Sequence, residues 1–180
     1  MDKIKFATVW LAGCSGCHMS FLDLDEWLIN LSEKVEVVYS PFVDMKEYPD
    51  EVDICLIEGA VANEENYHLL KEIRKKTKTL VSFGDCALNG NVTALRNLHG
   101  KPDKTLELSY KQLATLNNIP DFDYTKIAKL IDKVKPLHEI VKIDYFLPGC
   151  PPDAERIKFL LEKLLNGEVP VLQGDHLKNG

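Results

Sequence analysis

Stretches with the apolar pattern of β-strands alternate along this chain with stretches that have the 3.6-residue pattern of amphipathic helices. Such alternation is typical of βαβ units, which build a mainly parallel sheet with right-handed crossovers. The predicted strands are residues 4–11, 35–39, 52–57, 79–83 and 143–147, and the predicted helices are residues 20–32, 64–76 and 153–166. We therefore expect an α/β fold, a flavodoxin-like three-layer sandwich around a central, mainly parallel five-stranded sheet.

The length of 180 residues suits one domain with a sizeable core. We expect residues 1–180 to form a single flavodoxin-like domain. Residues 89–137 have a less regular pattern, and we interpret them as an irregular insertion between the fourth and fifth predicted strands. A short helix is predicted within it, near residues 126–133.

Cysteines follow three of the predicted strands at the point where each strand ends. Cys14 and Cys17 follow the first strand, Cys86 follows the fourth, and Cys150 follows the fifth. The third strand ends at Glu58. In an open parallel sheet the carboxyl ends of all strands lie on one edge, where ligands bind near the switch in strand order. The fold itself is therefore expected to bring these four thiols together.

The number of cysteines narrows the chemistry that this chain could carry out. Five cysteines are an odd number for a disulfide framework, so metal binding or redox chemistry is favoured. Cys55 lies inside an apolar strand and is expected to pack there.

The formal net charge of −6 argues against nucleic-acid binding. No stretch has the roughly 18 consecutive apolar residues of a spanning helix, and the chain starts without a leader pattern. We expect a cytoplasmic protein without a membrane span.

Four convergent thiolates suit either a [4Fe–4S] cluster or a structural zinc ion. Zinc ribbons use two short Cys-x-x-Cys pairs, whereas only Cys14 and Cys17 are close in this sequence. Cys150 is followed by two prolines, and a Cys-Pro pair recurs at iron–sulfur ligands. Glycines flank the cysteines and would let the backbone approach a bulky group; these are Gly13, Gly16, Gly84 and Gly149. The residues favour one [4Fe–4S] cluster.

Other interpretations remain open at this point. The pair Cys14 and Cys17 between a strand and a helix also resembles a thioredoxin-type dithiol, although Cys86 and Cys150 would then have no role. A zinc-stabilised scaffold without a redox role is a further alternative. His18 adjoins Cys17, but four thiolates already suffice as ligands. The other histidines are expected on the surface or in packing positions; these are His68, His99, His138 and His176.

Four motifs occur in order along the chain and resemble those of the small subunit of [NiFe] hydrogenases. They are residues 10–17 (Trp-Leu-Ala-Gly-Cys-Ser-Gly-Cys), 58–60 (Glu-Gly-Ala), 84–86 (Gly-Asp-Cys) and 148–152 (Pro-Gly-Cys-Pro-Pro). The resemblance implies that the cysteines of these motifs, which are Cys14, Cys17, Cys86 and Cys150, ligate the proximal [4Fe–4S] cluster. It also implies that Glu58 lies near that cluster, on a proton route; the alternative role is a helix-capping or turn acid.

The chain is similar, in its shortness and in the absence of a leader, to the small subunit of the bidirectional NAD-coupled hydrogenases. Residues 118–120, 135–139 and 146–156 also resemble that group. The resemblance implies an electron relay between a large subunit, which bears the catalytic Ni–Fe centre, and diaphorase subunits with flavin and further iron–sulfur clusters. This chain would then hold no catalytic residue, and its carboxyl sheet edge should expose an apolar surface for partners.

The related cluster-bearing subunit of the complex I quinone reductase has adjacent cysteines where this chain has Cys14 and Cys17. A subunit of a complex I-like quinone reductase is therefore the alternative within the same resemblance.

Overall fold

The computed structural model describes residues 3–113, 115 and 123–177. The described strands form a five-stranded sheet with the order β2-β1-β3-β5-β7, in which every neighbouring pair is parallel, and a separate antiparallel pair, β4 and β6. Their bounds are β1 Ile4–Trp10, β2 Val35–Tyr39, β3 Val52–Glu58, β4 Val61–Asn63, β5 Thr77–Phe83, β6 Leu130–Lys135 and β7 Tyr145–Leu147. The predicted five-stranded parallel sheet is confirmed. Residues 118–120, one of the motifs that carried the resemblance, lie outside the described residues.

Helices cover both faces of the main sheet. The α-helices are α1 Gly16–Leu22, α2 Trp27–Lys34, α3 Glu64–Lys76, α4 Asp85–Asn89, α5 Asn91–Ala94, α6 Pro102–Glu107 and α7 Ala154–Leu165. Shorter helical turns are the 3₁₀ segments Leu95–His99, Leu137–Glu139 and Gly174–Leu177 and the π-helical segment Leu108–Gln112. In the main sheet, the pairing register between β1 and the edge strand β2 shifts between Phe6 and Ala7 of β1.

The core has two halves, one on each face of the sheet. Along β3 successive side chains point to opposite faces, so Ile54 and Leu56 join one half while Cys55 and Ile57 join the other. The first half packs against α2 and α7, whose Leu31, Ile157, Leu160 and Leu161 are buried in it. The second half packs against α3 through Leu70 and Ile73. These layers confirm the predicted three-layer α/β sandwich.

The predicted helix near residues 126–133 is wrong, because β6 occupies part of that segment. Asn63 of β4 stands opposite Leu130, and Val61 stands opposite Lys135. Arg96 donates hydrogen bonds to the carbonyl oxygens of Ala62 and Ile131, at 2.9 and 2.8 Å, and so holds the two strands together. Tertiary pairing of this kind overrides a local helical pattern.

The domain organisation, in which residues 1–180 form one domain with residues 89–137 as an insertion, stays a prediction.

The predicted helix over residues 20–32 is two helices, and the first begins earlier, at Gly16. The chain turns between them at Asp25, whose φ is +49°, a left-handed conformation that aspartate tolerates better than most residues. Leu24 is buried in this turn, which anchors the break to the core. The early start places Cys17 in the first turn of α1, so that its backbone is fixed by the helix.

Among the residues described above, no helix is long and apolar enough to cross a membrane.

Candidate functional site

The four predicted cysteines lie at the carboxyl edge of the main sheet, around the point where the strand order switches. Strand β1 has β2 on one side and β3 on the other, so the loop after β1 lies at that switch point. Cys14 lies in this loop and Cys17 in the first turn of α1. Cys86 lies in the first turn of α4, directly after β5, and Cys150 lies between β7 and α7.

Hydrogen bonds of the backbone and of two side chains join the segments at this edge of the sheet. The Asp85 N–H donates to the carbonyl of Gly149 at 2.9 Å, and the Gly149 N–H donates back to the Asp85 carboxylate at 2.8 Å. Ala12 and Ala60 exchange two backbone hydrogen bonds, of 3.0 and 2.8 Å. The Ser20 hydroxyl donates to the carbonyl of Pro152 at 2.5 Å. The segments that carry the cysteines are therefore braced against one another.

The thiols are close enough to affect one another's ionisation. Burial raises the pKa of Cys17, and the charges of Glu58, Cys86, Cys14 and Cys150 raise it further. Burial also raises the pKa of Cys86, a hydrogen bond with Thr93 opposes this, and Cys14 and Cys150 add to the rise. Neighbouring thiolates repel each other. The form in which all four thiols are ionised is therefore favoured when positive charge is bound between them.

Gly84 clears the space in front of Cys17. Its φ is +82°, and a Cβ built on it would lie 2.2 Å from the Cys17 Sγ and 3.4 Å from the Gly149 carbonyl oxygen. No real side chain fits at that distance, because Cβ contacts essentially never fall below 3.0 Å. Glycine is therefore required here by the neighbouring sulfur as well as by the backbone conformation.

The Cys14 and Cys150 sulfurs each accept a hydrogen bond from a polar group. The Gly16 N–H donates to the Cys14 Sγ at 3.4 Å, and the Asn91 side-chain amide donates to the Cys150 Sγ at 3.2 Å. Donors of this kind favour the charged form of a sulfur. Cys14 and Cys150 are exposed in the isolated chain, whereas Cys17 and Cys86 are buried.

Among the residues that the structure describes, no three or more His, Cys, Asp or Glu side chains form a group suited to one metal ion. A polynuclear cluster distributes its ligands over several metal atoms, so its cysteines do not have to meet at one point. The mutual influence of the four thiols, the clearance at Gly84 and the donors to sulfur fit a thiolate-bound cluster.

Glu58 lies beside this set and is paired with His18. The Glu58 Oε2 accepts one hydrogen bond from the His18 backbone N–H at 2.9 Å and lies 2.5 Å from the His18 Nδ1. Ser15, which precedes α1, makes no side-chain cap, so the Glu58 carboxylate caps this helix from a neighbouring strand. The sequence pattern predicted no role for His18, and this contact was missed.

Cys55 and the other histidines lie away from the site. Cys55 is fully buried in β3, and burial raises the pKa of its thiol to about 12, which suits the predicted packing role. The rings of His138 and His176 pack on Phe146 and Phe159, and His68 and His99 are exposed.

Taken together, these features define the class: an α/β protein of flavodoxin-like topology with four cysteines along the carboxyl edge of its sheet. The family model described as NADH ubiquinone oxidoreductase, 20 Kd subunit, matches residues 14–164. The chain belongs to this family.

Several relatives of this chain are hydrogenase subunits. The chain is 43% identical over 169 residues to the NAD-reducing hydrogenase HoxS subunit delta of Cupriavidus necator, covering 92% of this chain and 80% of that protein. It is 39% identical over 170 residues to a subunit of the F420-non-reducing hydrogenase vhu of Methanocaldococcus jannaschii, covering 94% of this chain and 58% of that protein. An Archaeoglobus profundus relative, 34% identical over 196 residues, is named as an iron-sulfur subunit; the match covers 98% of this chain and 60% of that protein. The chain spans about three-fifths of the length of these archaeal relatives.

A solved structure has the same fold over nearly the whole chain. It is the crystal structure of an NAD+-reducing [NiFe]-hydrogenase in the H2-reduced state, one chain of which is 42% identical, with a TM-score of 0.91. The match covers 98% of this chain and 99% of that one. The predicted resemblance to the short hydrogenase small subunits is confirmed.

Proposed function

We propose that this chain is the electron-transfer small subunit of a [NiFe] hydrogenase and holds one [4Fe–4S] cluster through Cys14, Cys17, Cys86 and Cys150. The observation that carries the proposal is the location of these four cysteines at one edge of the sheet, with Gly84 leaving open the space in front of Cys17. The similarity to subunits of NAD-reducing and F420-non-reducing hydrogenases supports it.

A bound cluster of this kind supplies one-electron transfer, and its potential depends on hydrogen bonding to sulfur and on burial. The chain contributes the environment. Cys17 and Cys86 hold the buried side, and Cys14 and Cys150 hold the side that faces outwards. The N–H of Gly16 and the amide of Asn91 stabilise negative charge on two of the sulfurs.

Exposed apolar side chains near the same edge support the partner part of the proposal. Trp10 ends β1 with 47% of its surface exposed, and Val92 and Leu95 follow the Cys86 segment with 53% and 59% exposed. Exposed apolar surface around a functional edge is typical of a protein interface. We assign this edge to the large subunit, which would bear the Ni–Fe centre, and expect diaphorase subunits with flavin and iron–sulfur clusters in the same cytoplasmic complex.

The buried pair of His18 and Glu58 supports a role in holding a proton beside Cys17. Neither the His18 Nε2 nor the Glu58 Oε1 makes a hydrogen bond within the described part of the chain. The pair thus keeps one nitrogen and one oxygen for further proton exchange. In the proposal Glu58 both caps α1 and belongs to a proton route.

The cluster is tested by metal analysis of the full chain, prepared without oxygen, and of Cys→Ser variants at each of the four positions. We expect about four irons per chain and visible absorption that dithionite bleaches, both lost in every variant. Cys55→Ala is the matched control, because it removes a thiol from the core and should keep the iron. One zinc and no iron would contradict the cluster and favour the scaffold. Dithiol reductase activity without iron, lost in Cys14→Ser but retained in Cys86→Ser and Cys150→Ser, would favour the dithiol.

The partners are tested by purifying the chain with its associated subunits. We expect a Ni-containing large subunit and reduction of NAD+ that depends on hydrogen. Reduction of a quinone by NADH, without hydrogen turnover, would contradict the hydrogenase assignment and favour the complex I-like alternative.

A further inference from the structure

Asn91 occupies a backbone conformation that would suit a glycine better. It is the first residue of α5 and follows Gly90, which joins α4 to α5, and both residues have positive φ, +84° for Gly90 and +33° for Asn91. Side chains other than those of asparagine and aspartate rarely adopt this region, and even these are less favourable there than glycine. A non-glycine residue held in such a conformation points to a function for its side chain.

The side chain of Asn91 reaches a sulfur that is 59 positions away in sequence. Its Nδ2 donates to the Cys150 Sγ at 3.2 Å. Its backbone N–H donates to the Asn89 side-chain oxygen at 2.8 Å, which holds the start of the turn. The Thr93 hydroxyl donates to the Gly90 carbonyl at 2.7 Å, which holds its end. Hydrogen bonds on both sides therefore fix the strained backbone, and they hold the side-chain amide of Asn91 against the Cys150 sulfur.

The turn also has little freedom to relax. A Cβ at Gly90 would lie 2.8 Å from the Cβ of Ala94, so the chain passes close to its own next turn there. Cys150 itself is exposed, and so it lacks the protein surroundings that enclose Cys17 and Cys86. A donor on Cys150 consequently adds a fixed dipole at one of the two exposed cysteines.

We propose that Asn91 is a positioning residue that acts through Cys150 and raises the reduction potential of the bound cluster. The inference rests on the proposed function, since it needs a cluster on Cys150. Reduction adds negative charge to the cluster and its sulfurs, and an N–H donor stabilises the more negative state. Loss of the donor therefore makes the potential more negative, while the four cysteine ligands stay in place.

The test is a redox titration of the cluster signal by electron paramagnetic resonance, on the full chain prepared without oxygen, alongside iron analysis. Asn91→Gly removes the amide and suits the positive φ. Asn91→Asp keeps the size and shape and replaces the donor with a carboxylate. Asn89→Asp is the matched control, because it adds the same charge two residues away and still accepts the hydrogen bond from the Asn91 N–H.

We expect Asn91→Gly to keep its iron and to have a more negative potential. At the potential where the wild type is half reduced, the ratio of reduced to oxidised cluster should fall by up to about tenfold, which corresponds to about 59 mV for a one-electron couple. Asn91→Asp should shift further in the same direction, and by more than Asn89→Asp.

Three results would overturn the inference. The first is an unchanged potential in Asn91→Gly. The second is an equal shift in Asn91→Asp and Asn89→Asp, which would assign the effect to charge alone. The third is loss of iron in both Asn91 variants, which would make the residue necessary for assembly and not for the potential. Absence of iron from the wild type would instead contradict the proposed function, so the two failures are distinguishable.

Discussion

The Nδ1 of His18 and the Oε2 of Glu58 lie 2.5 Å apart, and neither side chain exposes more than 2% of its surface. The same carboxylate oxygen accepts the backbone N–H of His18, so one buried oxygen makes two hydrogen bonds at the start of α1. Because Cys17 precedes His18 in the same helical turn, the position of that thiol depends on a residue at the end of β3.

Glu58→Ala should therefore weaken the fold around the site. Two buried hydrogen bonds would be lost, and we expect the free energy of unfolding to fall by about 2–4 kcal/mol. Glu58→Gln keeps one acceptor oxygen and should lose less. Urea denaturation followed by circular dichroism, on reduced protein, measures both. Glu33→Ala, at an exposed acid of α2, is the control that should be nearly neutral. A Glu58→Ala midpoint equal to that of wild type would contradict the buried pair.

Gly84→Ala should abolish metal binding. The new methyl group would overlap the Cys17 sulfur, so either the thiol or the loop must move away from the site. Gly100→Ala separates this effect from backbone strain, because Gly100 has a similar φ of +88° and open space around its missing side chain. We expect Gly100→Ala to keep its iron and Gly84→Ala to lose it, as measured by iron content and visible absorption. Equal iron in the two variants would rule out the steric role of Gly84.

The parts of the fold that the sequence predicts correctly are those determined by local pattern. Helix α3 has the predicted bounds, Glu64–Lys76, because its apolar spacing is regular and Asn63 caps it through a hydrogen bond to Asn66 at 2.7 Å. The location of the four cysteines at one edge follows from the same kind of information. Each of them lies in the loop or the first helical turn that comes after a strand, and parallel strands end on one edge.

The contacts that the sequence did not predict join residues that are far apart along the chain. His18 and Glu58 are separated by 40 positions, and Asn91 and Cys150 by 59. Neither pair leaves a periodic signal, because each depends on how two segments that are distant in sequence pack against one another. One signal was available for Glu58: a carboxylate at the end of an apolar strand is expected to be buried, and a buried carboxylate needs a donor.

Leu95→Ser should weaken the association with partner subunits without changing the fold. Leu95 is 59% exposed and follows the segment of Cys86 and Asn91, so its polar replacement removes apolar area from the proposed interface. Val169→Ser is the matched control, since Val169 is 67% exposed but follows α7, which runs from the carboxyl edge towards the opposite end of the sheet. Co-purification under increasing salt measures the association. Equal retention of partners by the two variants would contradict an interface at the Leu95 edge.

Asp144 links β5 to the segment before β7. Its carboxylate lies 2.6 Å from the guanidinium of Arg74 and accepts the backbone N–H of Leu80 at 2.9 Å. Burial acts to raise the pKa of Asp144, but the hydrogen bonds from Arg74 and Leu80 outweigh it, and the pKa lies below its ordinary value. The ionised carboxylate is thus stabilised in the folded chain.

Asp144→Asn should therefore lower stability at neutral pH and have a smaller effect in acid. A carboxylate with a lowered pKa contributes stability above its unfolded pKa of about 3.9, and this contribution is lost as the pH falls through the lower folded value. We expect the variant to lose about 1–3 kcal/mol at pH 7, and the difference from wild type to shrink below about pH 4. Glu168→Gln is the control, because its ion pair with Lys163 is solvent-exposed and contributes little. Urea denaturation at a series of pH values measures both variants. A difference between Asp144→Asn and wild type that stayed constant down to pH 3 would show that the ionised carboxylate is not what stabilises this contact.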